Sequence, residues 1–188
     1  MEALTTSTLA VSIAEIGDKT QLLALILACR FRKPLPIIWG IFLATLINHA
    51  LAGSVGIWIQ SWLDPQWLRW LLALSFFAMA AWMLIPDKAD DEDSRFYRLG
   101  PFVATFVLFF LAEIGDKTQI ATTLLAARFV DEFWLVVAGT TLGMMVANLP
   151  AVLAGHKGAG RLPMHWIHGA SALIFLVLGV TTLWWPWS

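Results

Sequence analysis

Ala14-Glu15-Ile16-Gly17-Asp18-Lys19-Thr20-Gln21 recurs unchanged, 98 positions on, as Ala112-Glu113-Ile114-Gly115-Asp116-Lys117-Thr118-Gln119. Each copy sets a Glu, an Asp and a Lys inside a long apolar stretch. The chain around them has 188 residues, 59% hydrophobic and 13% charged, against about 25% charged in soluble globular proteins. Its mean hydropathy is +0.75. The implied class is a membrane protein, in which apolar spans of about 20 residues repeat. A net charge of −1 argues against a nucleic-acid partner, which would need a basic surface. The single cysteine, Cys29, excludes an internal disulfide and a cysteine-based metal cluster. The eleven tryptophans suit membrane–water interfaces. Glu2 stands where a basic n-region would lie, so no cleaved signal peptide is expected.

Working outward from the strings, six apolar segments can be marked. The first runs from about Leu4 to Ala28 and holds the first string. The second runs from Pro34 to about Trp62 without a charge, and the third from about Trp67 to Ile85. A charged linker follows, including Asp87-Lys88-Ala89-Asp90-Asp91-Glu92-Asp93. The fourth runs from about Pro101 to Ala127 and holds the second string. The fifth covers about Phe133 to Gly155, and the sixth about Trp166 to Trp187. The halves also correspond outside the strings: Ala28-Cys29-Arg30-Phe31 aligns with Ala126-Ala127-Arg128-Phe129, and Asn148-Leu149-Pro150 falls near the counterpart of Asn48-His49. Three spans per half place the second half upside down in the bilayer, the inverted-repeat plan of many secondary transporters. The fold expected is an all-α membrane protein of six transmembrane helices in two inverted three-helix repeats. Residues 1–86 form the first repeat, 87–99 a cytoplasmic linker and 100–188 the second repeat.

Arg30, Arg32, Lys33, Lys88, Arg95, Arg98, Lys157 and Arg161 fall on one face, and only Arg69 and Arg128 on the other. The positive-inside rule makes the first face cytoplasmic and puts both termini outside. Trp62, Trp67, Trp70, Trp134, Trp184, Trp185 and Trp187 then form a belt at the outer interface. Gly139 with Gly143, and Gly40 with Ala44, are small-residue steps that favour close helix packing.

On a continuous helix, Glu15, Asp18 and Lys19 share one face. Thr8 and Ser12 extend it as a polar stripe, where the second half has Phe106 and Phe110. Six ionisable groups at membrane depth cost about 2.5–3.5 kcal/mol each if unpaired. They must pair, neutralise or face a wet cavity. Four carboxylates and two ammoniums sum to −2, which one divalent cation or two protons would balance. That is the arithmetic of a cation/proton exchanger. The donors are oxygens: Glu15, Asp18, Glu113 and Asp116, with Thr20, Thr118, Gln21, Gln119 and Asn48 as further candidates. Such ligands suit magnesium, calcium and manganese, and the absence of Cys and His from both strings disfavours zinc and copper. Gly17 and Gly115 permit either close helix approach or local unwinding. The competing structural reading pairs Glu15 with Lys19 and Glu113 with Lys117 at i,i+4, but leaves the aspartates and the duplication unexplained. His49 reads as a packing or hydrogen-bonding residue. The acidic linker reads as solvated, and His156, His165 and His168 as ordinary loop histidines.

The strings resemble those of the Gdt-type family of small membrane cation/proton exchangers, whose mark is two copies of Glu-x-Gly-Asp-Lys-Thr/Ser in inverted three-span halves. The resemblance covers the whole chain, and neither string departs from the pattern. It implies that Glu15, Asp18, Glu113 and Asp116 bind the cation, supported by Lys19, Thr20, Lys117 and Thr118. The short chain looks like the bacterial MneA-type manganese exporter branch. The implied activity is export of Mn2+ from the cytoplasm in exchange for protons. The implied location is a bacterial inner membrane, with no cofactor and no enzymatic activity. A Ca2+/H+ antiporter of the same mechanism is the near alternative; a passive cation channel and an intramembrane aspartyl protease are more distant ones. The partners are then the lipid bilayer, the cation and protons, and a homo-oligomer is compatible with these features.

Overall fold

The computed structural model describes residues 1–16, 18–82, 84, 96–154, 173 and 176–184, and among them all regular structure is helical. In chain order these are α1 (Glu2–Glu15), α2 (Lys19–Phe31), α3 (Pro34–Trp62), α4 (Pro65–Trp82), a 3-10 turn (Phe96–Leu99), α5 (Pro101–Glu113), α6 (Lys117–Arg128), a second 3-10 turn (Val130–Glu132) and α7 (Phe133–Ala154). Residues 176–184 form a last helical stretch. The acidic linker through Arg95, the loop with His156, Lys157, Arg161, His165 and His168, most of the sixth segment, Gly17, Trp185 and Trp187 lie outside the described residues.

The second apolar segment is α3 from end to end. At 29 residues it is about 43 Å long, more than a bilayer's hydrocarbon core. Residues Pro34–Trp62 and Val130–Ala154 are each long and apolar enough to cross a membrane. The first and fourth segments are built differently. Each is two half-length helices, and the break falls inside the repeated string. α1 ends at Glu15, Ile16 is extended (φ −62°, ψ 115°), and Asp18 caps α2 from an extended conformation (φ −78°, ψ 171°). α5 ends at Glu113, Ile114 is extended (φ −65°, ψ 118°), and Asp116 caps α6 (φ −75°, ψ 163°). Gly115 reverses the chain at φ +76°, a backbone that an L side chain rarely adopts. The same turn closes both breaks, with Asp18 N donating to Glu15 O and Asp116 N to Glu113 O, each at 3.1 Å. Of the two roles open to the glycines, Gly115 therefore serves unwinding.

Each broken pair packs on the long helix of the other half: α1 and α2 lie along α7, α5 and α6 lie along α3, and α3 touches α7. The small residues expected to allow this do so. A Cβ on Gly40 would come 2.8 Å from Thr105 Cβ and 3.0 Å from Phe102 O. One on Gly139 would come 2.6 Å from Leu4 O and 2.9 Å from Ser7 Cβ, and one on Gly143 within 2.9 Å of Ser12 N and Thr8 O. Leu4 and Ser7 are the counterparts of Phe102 and Thr105 at the repeat spacing of 98, so the two seams are built alike. Leu23, Leu27, Ile37, Ile41, Leu108 and Phe109 fill one apolar cluster, and Leu68, Leu72, Phe76, Leu124 and Leu125 another. Between apolar helices in lipid, such clusters act through close packing rather than water exclusion. Trp62, Trp67, Trp70, Trp134 and Trp184 are exposed.

Candidate cation site

The breaks bring the acids together. Glu15 and Glu113 are the last residues of α1 and α5, and both are completely buried; Asp116 is 5% exposed. One carboxylate oxygen each from Glu15, Glu113 and Asp116 lie within 4.8 Å of one another. An ion holding oxygens at about 2.3–2.6 Å keeps them at most roughly 5 Å apart, so a single cation fits among the three. Asp18 lies outside this close trio. It caps α2 at the other break and is nearly buried.

The arrangement corrects one expectation. Glu15, Asp18 and Lys19 do not share the face of a continuous helix, because the helix ends at Glu15 and restarts at Lys19. The i,i+4 pairing of Lys19 with Glu15 gives way to a contact between the halves: Lys19 Nζ stands 3.3 Å from Asp116 Oδ1. Three carboxylates with this one ammonium again carry −2. Lys117 is buried, with Nζ 6.0 Å from the centroid of the Trp82 ring.

Thr118, Gln119, Asn48 and Gln21 brace the breaks and the helices beside them. Thr118 Oγ1 lies 2.9 Å from Glu113 Oε2 and 3.2 Å from Asp116 Oδ2, and Thr118 N donates to the same Asp116 oxygen at 3.3 Å. Gln119 Oε1 accepts from Gly115 N at 2.7 Å and so holds the reversed turn. Its Nε2 donates to Asn48 Oδ1 at 3.4 Å, and Asn48 Nδ2 donates to Phe110 O near the end of α5 at 3.1 Å. Gln21 Nε2 reaches across to Ala147 O on α7 at 2.8 Å. Asn48 thus ties α3 to the second break.

The two strings are identical in sequence but not in bonding. In the second, Glu113 is held by Thr118. In the first, neither Glu15 oxygen nor Thr20 Oγ1 has a comparable hydrogen bond among the described residues, and Glu113 Oε1 is also open there. Asn148 stands beside Glu15, its own amide donating to Met144 O. The approaches differ as well: Thr8 turns its hydroxyl onto Leu4 O, whereas Phe106 and Phe110 stack with ring centroids 5.9 Å apart.

Sequence alignment of the halves missed the register of the long helices. Gly40 and Gly139 meet equivalent carbonyls, and Gln119 and Gln21 reach Asn48 and Ala147. Both pairs are spaced by 99, so Asn148 corresponds to His49 and not to Asn48. The small-residue steps carried that signal, since Gly40 and Gly139 are themselves 99 apart.

Interrupted helices ending on one another at a buried carboxylate cluster, in so apolar a helical chain, define an ion transporter built on broken helices. The profile of the family described as "Divalent cation/proton antiporter GDT1" matches residues 3–91 and 101–188, and the chain belongs to that family. Over 182 residues it is 53% identical to the "Putative manganese exporter" of Vibrio cholerae, covering 97% of this chain and 90% of that protein. It is 29% identical over 208 residues to a GDT1-like protein of Synechocystis, covering 98% of each. A 79-residue stretch, 42% of this chain, is 32% identical to the "Divalent cation/proton antiporter GDT1" of Saccharomyces cerevisiae, covering 28% of that protein. No solved structure matches.

Proposed function

We propose that the chain exports manganese from the cytoplasm in exchange for protons, through one site near the membrane midplane. The observation that carries this is the convergence of Glu15, Glu113 and Asp116 from the two breaks to within 4.8 Å. Carboxylates so close repel one another unless a cation or protons lie among them. The same oxygens can therefore hold either cargo, but not both fully at once. The C-terminal ends of α1 and α5 add the partial negative charge of their helix dipoles at the breaks. Asp18 joins the ligand set when the site changes shape, and Lys19 and Lys117 keep its net charge low enough for release.

The architecture we propose is six spans in two inverted repeats, residues 1–86 and 100–188, joined by a linker at 87–99. Its support is packing direction: α1 runs parallel to α7 along Gly139 and Gly143, and α5 parallel to α3 from Gly40, beside Phe102 and Thr105, to Asn48, bonded to Phe110 O. Only Arg32 and Lys33 separate α2 from α3, which suits a reversal there and opposite directions for the two broken pairs. We place the protein in a bacterial inner membrane with both termini outside, on the distribution of Lys and Arg.

Purified protein in liposomes, with a pH reporter inside, tests the reading. Manganese flux should move protons the opposite way and follow an imposed pH gradient. Flux indifferent to that gradient would instead establish a channel. A panel of manganese, calcium and magnesium decides the cargo.

A further inference from the structure

The geometry points to Asn148 as a further ligand of the transported cation, a neutral oxygen on the Glu15 side of the site. This rests on the manganese exchange proposed above.

Asn148 is completely buried in α7, and its Nδ2 donates to Met144 O, one turn back, at 3.1 Å. Its Oδ1 has no hydrogen-bond partner among the described residues. A carbonyl buried in that way loses its hydration and gains nothing in return. Two contacts fix where this side chain lies. Asn148 stands beside Glu15, the last residue of α1. On the far side of the same break, Gln21 Nε2 donates to Ala147 O at 2.8 Å. One turn of α7 is thus held from both ends of the first string. Neither Glu15 oxygen has a partner among the described residues either. Asn148 and Glu15 together keep three oxygens open, and Glu15 is one of the three acids whose oxygens converge within 4.8 Å.

The chain has two asparagines, Asn48 and Asn148, and the other amide is spent on structure. Asn48 Oδ1 accepts from Gln119 Nε2, and its Nδ2 donates to Phe110 O. The amide ligand sought at Asn48 therefore passes to Asn148. Carboxamide oxygens join carboxylates around hard divalent cations, and manganese takes the same ligands. Asn148 Oδ1 gives the trio a fourth protein oxygen without adding charge. A carboxylate holds a metal or a proton, but a carboxamide offers a bare acceptor that stays neutral. This oxygen serves the metal-loaded state alone and so tilts the exchange toward metal.

The test is electron–nuclear double resonance of Mn2+ bound to the full-length protein in detergent, with asparagine 13C-labelled at Cγ, alongside Mn2+ titrations. With two asparagines in the chain, the label is close to residue-specific. The expected result is a 13C coupling to bound Mn2+ that vanishes in Asn148→Leu at saturating Mn2+. That variant keeps the volume and should bind Mn2+ about tenfold or more weakly. Asn148→Asp keeps an oxygen and loses the amide N–H groups, and should bind at least as tightly as the native protein. Both should elute as the native protein does. Bound Mn2+ without 13C coupling, or coupling that survives Asn148→Leu, overturns the assignment and leaves manganese exchange standing. Equal loss of binding in Asn148→Asp and Asn148→Leu also overturns it, by showing that the amide acts only as a donor holding Glu15. Absence of any bound Mn2+ in the native protein overturns both.

Discussion

Lys19 Nζ and Asp116 Oδ1 lie 3.3 Å apart, joining the first repeat to the second within the ring of acids. An ammonium here lowers the local charge from −3 to −2, so it competes with the cargo as well as supporting the site. Lys19→Gln should therefore hold Mn2+ more tightly but release it slowly. Calorimetry should show affinity kept or raised, and liposome flux should fall by about tenfold or more. Weakened binding together with slowed flux would show that Lys19 only organises the aspartate.

The carboxylate variants should behave in the opposite sense. Glu15→Gln and Asp116→Asn keep shape and remove charge, so both should fold, elute as the native protein does, and lose transport. Glu113→Gln retains an oxygen to accept from Thr118 and should fold best of the three while also failing to transport. Full flux in any of them would remove that residue from the ligand set.

Metal uptake should release protons. Ligands must be deprotonated to bind, and in the proposed exchange the acids hold either cargo. Adding Mn2+ to weakly buffered protein near neutral pH should acidify the solution, and the release should disappear in Glu15→Gln. An unchanged pH on saturation with Mn2+ would argue for a site that stays ionised, as in a channel.

The seams should tolerate no added volume. A methyl on Gly56 would collide with the Thr123 carbonyl, and one on Gly139 with the Leu4 carbonyl. Gly56→Ala and Gly139→Ala should each cost about 1–3 kcal/mol, read as a lower midpoint of thermal unfolding in detergent. Gly100→Ala meets no neighbour, and its penalty should come only from the φ of +82°.

Arg128 fastens the last helix. Its Nη1 reaches Leu178 O at 3.2 Å, Thr181 Oγ1 at 3.2 Å and Thr182 Oγ1 at 3.0 Å. Arg128→Ala should leave the Glu15–Glu113–Asp116 trio in place but loosen residues 176–184. Faster labelling of a cysteine placed at Val177 would report it, with Mn2+ affinity unchanged.

Much of this was legible in the sequence, and the remainder has physical reasons. The ends of α3 follow from Pro34 and from the polar residues beyond Trp62, so that helix could be read directly. The acids announce themselves because a bilayer penalises them. The helix break does not, since Gly17 and Gly115 are compatible with either a close crossing or an unwound turn. Only in the fold do Asp18 and Asp116 become caps of new helices. The Lys19–Asp116 contact was hidden because periodicity relates residues on one helix, and this pair belongs to two. His49 reads as a packing or hydrogen-bonding residue in the sequence, where the register of the long helices is hidden; the seams match it, rather than Asn48, to Asn148.

The mirrored seams also bear on how such a chain could arise. Each broken pair rests on a long helix from the opposite half, so a solitary half would present a groove with nothing to fill it and one incomplete set of acids. In the inverted arrangement proposed above, a second, overturned copy closes both. The two halves, produced as separate polypeptides, should thus find each other in the membrane, and an unfused ancestor would have worked as a couple of antiparallel twins.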